Sequence, residues 1–406
     1  MIARRNLLKG SAGLPLEDRW YLASLTSARA YTAFGFAADR VPMNAANLCP
    51  MPSAISAAVE RYSRELDRDM SAPNRRRIEA MKETARSGIA GQLGTAGDEI
   101  AIVRNTSEAN SIVVQGLALR SGDEVLLWDQ NHPSNALAWE VRAAREGFKV
   151  RYFAVPLAAQ SIGEVVDGVS AALGPRTRMV SFTHISNITG FRLPAAEICA
   201  ELRRRRPDLF IHIDGAQTWG VRDVNLAEWD CDSFSGSAHK WYMGPRETGM
   251  LYVRRESQEA VAPVVVSIPW GNDVEPSVAG ARRYEALGQR DDASIAALAE
   301  TVAWHGALTP AFVAHRATAV ADRLRAALHD IDVPLVSPGH ADFRSNVIIL
   351  AASANNRGAL AERVFEDSGV IPAPTGGLRL SPHIYNTAEH VERVVGAVGR
   401  VRDKLG

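Results

Sequence analysis

From about residue 98 the chain alternates short apolar runs with longer stretches whose apolar residues recur at helical spacing. Residues 99–103, 124–128, 149–153, 178–182 and 209–213 read as strands. Between them, 106–119, 135–146, 162–173 and 195–206 read as helices. Two further apolar runs, 231–234 and 250–253, follow without a helical stretch between them. Regular alternation of this kind predicts an α/β fold, a mainly parallel sheet with helices on both faces.

The pattern changes on either side of this block. Before it, 16–36 reads as a helical arm, 53–66 as a helix with Ser53 as N-cap, and 74–93 as a second helix. After Pro276 a polar stretch leads into helices at 293–308 and 310–329, a strand at 346–350 and a helix at 357–367. A short strand at 377–380 and a last helix at 387–404 complete a smaller α+β unit. The expected organisation is an N-terminal arm over 1–45, a large domain over 46–285 and a small C-terminal domain over 286–406.

Composition narrows the function. Lys plus Arg and Asp plus Glu both number 46 in 406 residues, which argues against a nucleic-acid binder built on a basic surface. The run Arg203-Arg204-Arg205-Arg206 falls where a helix ends before Pro207, a position that favours cations. Cys49, Cys199 and Cys231 are widely spaced and none has metal-ligand spacing, so no metal is expected and reduced thiols are. No apolar run is long enough to span a bilayer. Arg4-Arg5 resembles a twin-arginine leader, but its apolar region is cut short by Glu17 and Asp18. A cytoplasmic location is expected, with export as the alternative.

Candidate chemistry gathers at the expected strand ends, where open α/β sheets bind ligands. Lys240, in Ser237-Ala238-His239-Lys240-Trp241, sits between two apolar runs. Burial there favours its neutral amine, which can attack a carbonyl and form a Schiff base. Asp214 ends the run Ile211-His212-Ile213, and a buried carboxylate wants a cation such as a protonated pyridine nitrogen. Thr106 and Ser107 lie where a strand gives way to a helix, a place for a phosphate or for an ordinary cap. His132 could stack on a ring, cap the next helix or lie on the surface; Gln217 could donate to a phenolate oxygen or solvate a loop. Asn187 follows a fourth strand. In this order, each at a strand end, these residues point to pyridoxal 5′-phosphate (PLP) anchored on Lys240.

With these motifs the chain resembles the fold type I PLP-dependent enzymes of the class V aminotransferase group. Ser-Ala-His-Lys-Trp-Tyr-Met-Gly-Pro-Arg-Glu-Thr-Gly from Ser237 is most similar to the isopenicillin N epimerase-like and selenocysteine lyase-like branch. The resemblance implies that Lys240 is the Schiff-base lysine, Asp214 the pyridinium partner and His132 the residue stacked on the ring. Asn187 and Gln217 would lie near the ring's 3-oxygen, and Thr106, Ser107, Ser237 and His239 would hold the phosphate. Arg379, in Gly377-Leu378-Arg379-Leu380-Ser381-Pro382-His383, matches the arginine that clamps a substrate α-carboxylate. Gln289 stands where the family often has a threonine that reaches the neighbouring subunit's phosphate, so a homodimer with shared sites is implied. Trp270 is a candidate for the substrate wall, and Arg282 and Arg283 for an acidic distal group or plain surface charge.

The reaction implied is Cα deprotonation of an α-amino acid through an external aldimine, leading to transamination or epimerisation. A carbon–sulfur lyase is the alternative. It would work without persulfide chemistry, because no cysteine lies between Ser337 and Arg379. A non-catalytic PLP-binding protein is disfavoured: residues 1–45 are too short for a DNA-binding domain, and both Lys240 and Asp214 are present.

Overall fold

The computed structural model describes residues 32–267 and 279–406. Its centre is a seven-stranded sheet in the order β2-β8-β7-β6-β5-β3-β4. The strands are β2 (Ile100–Val103), β3 (Glu124–Trp128), β4 (Lys149–Phe153), β5 (Thr177–Thr183), β6 (Phe210–Asp214), β7 (Ser233–Ser237) and β8 (Gly249–Val253). All pairings are parallel except those of β8, which runs against both its neighbours, β2 and β7. The cause is local. β7 reaches β8 through the connection 238–248, which contains no helix to carry the chain back to the start of the sheet.

Alternation along each strand separates two cores. Ile100, Ile102, Leu126, Trp128, Val180, Phe182, Ile211 and Ile213 face one side. Ala101, Val103, Val125, Leu127, Met179, Phe210, Leu251 and Val253 face the other. β2 and β3 are buried along their length and read as near-continuous apolar runs rather than alternating ones, whereas β6 and β7 carry buried polar residues, among them His212, Asp214, Ser233 and Ser235. β4, at the sheet edge, is mostly exposed.

The α-helices that lie wholly among the described residues are α1 (Ser53–Arg68), α2 (Ala72–Gln92), α3 (Thr106–Gly116), α4 (Pro133–Glu146), α5 (Ile162–Ala171), α6 (Ala195–Arg205), α7 (Leu226–Trp229), α8 (Asp292–Leu308), α9 (Pro310–His329), α10 (Arg357–Ser368) and α11 (Ala388–Gly399). Ser53 is not the N-cap expected of it. Pro52 holds that position without a side-chain cap, and Ser53 is the first helical residue. The last helix ends at Gly399 rather than 404, and a separate short 3-10 turn follows. The run from Cys231 becomes strand only at Ser233.

A third core, with Val320, Leu324, Ile348, Leu350, Leu378, Leu380, Val391 and Val394, belongs to the C-terminal unit. Here β9 (Ile348–Leu350) pairs with β11 (Leu378–Leu380), and β1 (Val41–Pro42) pairs with β10 (Val370–Ile371). The segment leading to Asn44 is thus drawn into the C-terminal unit. α8 packs on α1 and α2, with Leu298 and Val302 in a core of the large sheet. Between the units a further apolar cluster joins Phe34, Ala45, Trp241, Val347, Ile349 and Tyr385. This cluster brings the residue after Lys240 against the strand that pairs with Arg379's.

The Arg203–Arg206 run is committed within the chain. Arg203 donates to the Leu209 and Asp230 carbonyls and pairs with Asp232; Arg204 and Arg205 pair with Glu201, and Arg206 with Asp208. Among the described residues no helix is long and apolar enough to cross a membrane.

Candidate active site

The carboxyl ends of β2, β3, β5, β6 and β7 open onto one cavity of about 160 Å³. Thr106, Ser107, His132, Asn187, Asp214, Gln217, Ser237, His239 and Lys240 line it. So do Asn105, Ser134, Thr183 and Ala216, which the motifs did not single out.

Asp214 ends β6, buried. The next residue must be glycine, because a Cβ at Gly215 would come within 2.0 Å of the Phe234 ring on β7. Asp214 Oδ1 accepts from the Ala216 amide at 2.9 Å, and Oδ2 from Asn110 Nδ2 at 2.8 Å. The carboxylate therefore has a fixed plane before any ligand arrives.

Lys240 sits in the turn after β7, with the Met243 amide donating to its carbonyl at 2.9 Å. Burial lowers its pKa from 10.5; Asp214 opposes the shift and Arg379 adds to it. The turn is clamped from several sides. Trp241 Nε1 donates to Gln217 Oε1 at 2.6 Å, His383 Nε2 to the Trp241 carbonyl at 2.7 Å, and His305 Nε2 to the Tyr242 carbonyl at 2.7 Å. The Tyr242 ring is stacked between Trp219 (3.9 Å between centroids) and His305 (4.1 Å).

At the opposite end of the cavity α3 begins. Asn105 is its N-cap, accepting from the Glu108 amide at 3.0 Å, so Thr106 is the first helical residue and not a cap. The Thr106 amide donates to Ser237 Oγ at 2.7 Å, and the two hydroxyls lie 2.8 Å apart. Hydroxyls gathered at a helix N-terminus form a site for an anion. Burial first, then Lys240 and Arg246, push His239 down to about 4.

His132 precedes α4. Its Nδ1 accepts from the Ser134 amide at 3.2 Å and lies 2.8 Å from Ser134 Oγ, so the neutral ring carries its proton on Nε2. Burial, then Lys240, lower its pKa. The loop is tied to β5 by Asn131, which donates to the Ser181 carbonyl at 3.0 Å and accepts from the Thr183 amide at 2.7 Å. Gln217, besides accepting from Trp241, donates Nε2 to the Ala46 carbonyl at 2.9 Å, so its amide is already engaged within the chain.

Arg379 lies behind this cavity, buried on β11. Its Nη1 donates to the Asn187 carbonyl and its Nη2 to Asn44 Oδ1, both at 3.2 Å, while Nε has no partner among the described residues. Burial lowers its pKa to about 10. Gln289 is exposed and away from the cavity, accepting from Arg75 Nη2 at 3.1 Å. Arg282 and Arg283 are paired with Glu83 and Glu259. Trp270 lies outside the described residues.

Sequence reasoning missed Asn44, Asn110, Asn131 and Thr183. Only Asn110 left a readable signal. It lies four residues after Thr106 on the same helix and is a polar residue with no exposure.

Taken together, the donor set comprises an amine biased toward neutrality, a fixed carboxylate at the cavity floor, and hydroxyls at a helix N-terminus. It fits an aromatic aldehyde with a cationic ring nitrogen and a phosphate, which is the chemistry of PLP. Residues 46–394 match the family model described as Aminotransferase class-V. The chain is 30% identical to the isopenicillin N epimerase of Streptomyces clavuligerus over 88% of its length and 94% of that protein's. It is 27% identical to a probable cysteine desulfurase of Vibrio cholerae over 80% of its length and 83% of that protein's. A solved complex of the cystine C–S lyase C-DES with its product, cysteine persulfide, superposes with a TM-score of 0.82. That match is 22% identical and covers 89% of this chain and 98% of the other.

Proposed function

Because the chain belongs to the class V aminotransferase family, we propose that it is a PLP-dependent enzyme that moves a proton at the α-carbon of an amino acid. Epimerisation is the outcome favoured over transamination. The observation that carries this reading is the meeting of Lys240, Asp214 and His132 on one cavity with Arg379 beside it. The near-full-length likeness to an isopenicillin N epimerase points the same way.

Lys240 would anchor the cofactor's aldehyde carbon, Asp214 would face its ring nitrogen, and Thr106, Ser107, Ser237 and His239 would hold its phosphate. When bound, PLP supplies an electron sink for negative charge developing at the substrate α-carbon. The protein does the rest. Arg379 offers its guanidinium to the substrate carboxylate, which orients the α-carbon. Lys240 Nζ, freed when the substrate's amine takes its place on the aldehyde carbon and favoured as a neutral amine by burial, would take the α-proton. Epimerisation needs a second proton carrier, and His132 is the cavity residue suited to it, with its exchangeable proton on Nε2. The clamped turn after Lys240 keeps the amine in place during both transfers.

A carbon–sulfur lyase is the second reading, on the strength of the desulfurase relatives. A persulfide route finds no support in the thiols. Cys49, Cys199 and Cys231 are all buried, and burial pushes Cys49 and Cys231 up to about 12. A homodimer is part of the proposal, with the exposed Gln289 directed to the neighbouring subunit's site, and so is a cytoplasmic location.

Two measurements test the reading. Purified protein supplied with PLP should show a visible absorbance band that Lys240→Ala abolishes, with turnover falling by about 10³-fold or more. Incubated with amino acids in heavy water, it should place deuterium at Cα and leave the skeleton intact. Keto-acid formation would move the assignment to transamination, and released thiol with ammonia would move it to lyase chemistry. A protein that never acquires the band ends the cofactor reading.

A further inference from the structure

Beneath Asp214 lies a polar network that none of the motifs accounts for. Asn110 projects from α3 into the space between that helix and strands β6 and β7. It is fully buried, as are His212, Ser233 and Ser235. Asn110 Nδ2 donates to Asp214 Oδ2 at 2.8 Å. Asn110 Oδ1 accepts twice, from Ser235 Oγ at 2.7 Å and from His212 Nε2 at 2.9 Å. His212 Nδ1 lies 2.7 Å from Ser233 Oγ.

The proton positions follow from these contacts. An amide oxygen only accepts, so His212 Nε2 must carry a proton. Burial pushes His212 down to about 4, so the ring is neutral and Nδ1 is left to accept from the Ser233 hydroxyl. The Asn110 amide cannot be turned over. Its oxygen would then face a carboxylate oxygen of Asp214. Ser233, His212, Ser235 and Asn110 therefore form one ordered set of bonds whose last donor points at Asp214.

Such an arrangement is costly for helix–sheet packing alone, where apolar side chains of the same volume would serve. It gains a purpose if the carboxylate must stand in one orientation toward a cation. We infer that Asn110 is a positioning residue: its amide, locked by Ser235 and His212, sets the Asp214 carboxylate for the ring nitrogen of the cofactor. The inference rests on the PLP reading. It also explains why a polar residue sits one turn below Thr106: one helix serves the phosphate end with its first turn and the ring-nitrogen end with its second.

The test separates positioning from packing by changing the ligand as well as the residue. Apo-protein is titrated with PLP and with its 1-deaza analogue, in which C–H replaces the ring nitrogen, and the dissociation constants are read from protein fluorescence. Wild type should prefer PLP over the analogue. In Asn110→Ala that preference should shrink by about tenfold, the size of one charge-assisted hydrogen bond, while affinity for the analogue stays close to wild type. Asn110→Asp keeps the shape but turns the donor into an acceptor, and it should lose the preference at least as fully. It also serves if the alanine variant does not fold. Equal weakening of both ligands, or an unchanged preference in both variants, would mean that Asn110 only packs α3 on the sheet. Wild type that binds no PLP would instead end the cofactor reading, a result distinct from either.

Discussion

The two ends of the site are built differently. Around Lys240 the turn is held by bonds from Gln217, His305 and His383 and by a three-ring stack. Asp214 likewise has a donor on each oxygen. Around Arg379 the guanidinium rests between the Asn187 carbonyl and Asn44, and one buried N–H has no partner among the described residues. The amine and carboxylate end is complete within the chain, while the arginine end keeps hydrogen-bonding capacity in reserve. A cofactor held through many turnovers suits a preformed cradle. A substrate that comes and goes suits a buried cation whose remaining donors a carboxylate can satisfy.

This contrast can be broken most directly at Arg379. Arg379→Ala should lower kcat/KM for an α-amino acid by about 10²- to 10³-fold, because a bidentate charged contact is lost, and leave PLP affinity within about twofold of wild type. Steady-state kinetics beside a cofactor titration checks both halves. A comparable loss of PLP binding would show that the two ends are not independent.

Acid should act on the other end. Burial holds His305 at about 4 and His383 at about 3, against an ordinary 6.5, although the carbonyl each donates to pulls upward. The unfolded chain takes up these protons near pH 6.5 and the folded chain only near 4 or below. Between those values the unfolded state binds more protons, so stability is greatest above about 6.5 and declines as pH falls toward 4. Thermal melts across this range should show a steady fall, flatter in His305→Gln, which removes one of the titrating groups.

The smallest effect is expected at Asn44. Asn44→Ala removes one neutral acceptor from Arg379 while the Asn187 carbonyl remains. KM should rise by about three- to tenfold with kcat little changed. An effect as large as that of Arg379→Ala would mean that Asn44 itself meets the substrate.

Much of this was legible residue by residue. β3 and the helix Pro310–His329 have the bounds their apolar residues predict, because those residues are the ones buried: a continuous run in β3 and a helically spaced stripe in the helix. Lys240, Asp214, Thr106 and His132 could be singled out because each lies at or just beyond a strand end, where a parallel sheet leaves room for a ligand. Capping was less readable. Ser53 and Thr106 both have suitable side chains, yet Pro52 and Asn105 hold the cap positions, because a cap is decided by where the chain turns into the helix. Gln217 was placed in the cavity, but its chain-internal bonds to Ala46 and Trp241 were invisible, since both partners are brought to it by tertiary packing.

The sequence by itself determined the alternating architecture, the chemistry available at each strand end and the absence of a cysteine before Arg379. Those properties reside in local spacing and residue type. Only the tertiary structure decided that β8 runs backward, that the segment at Asn44 returns to meet Arg379, and that Asn110 reaches Asp214. Each of these depends on which distant surfaces bury one another, and contacts of that range leave no period along the chain.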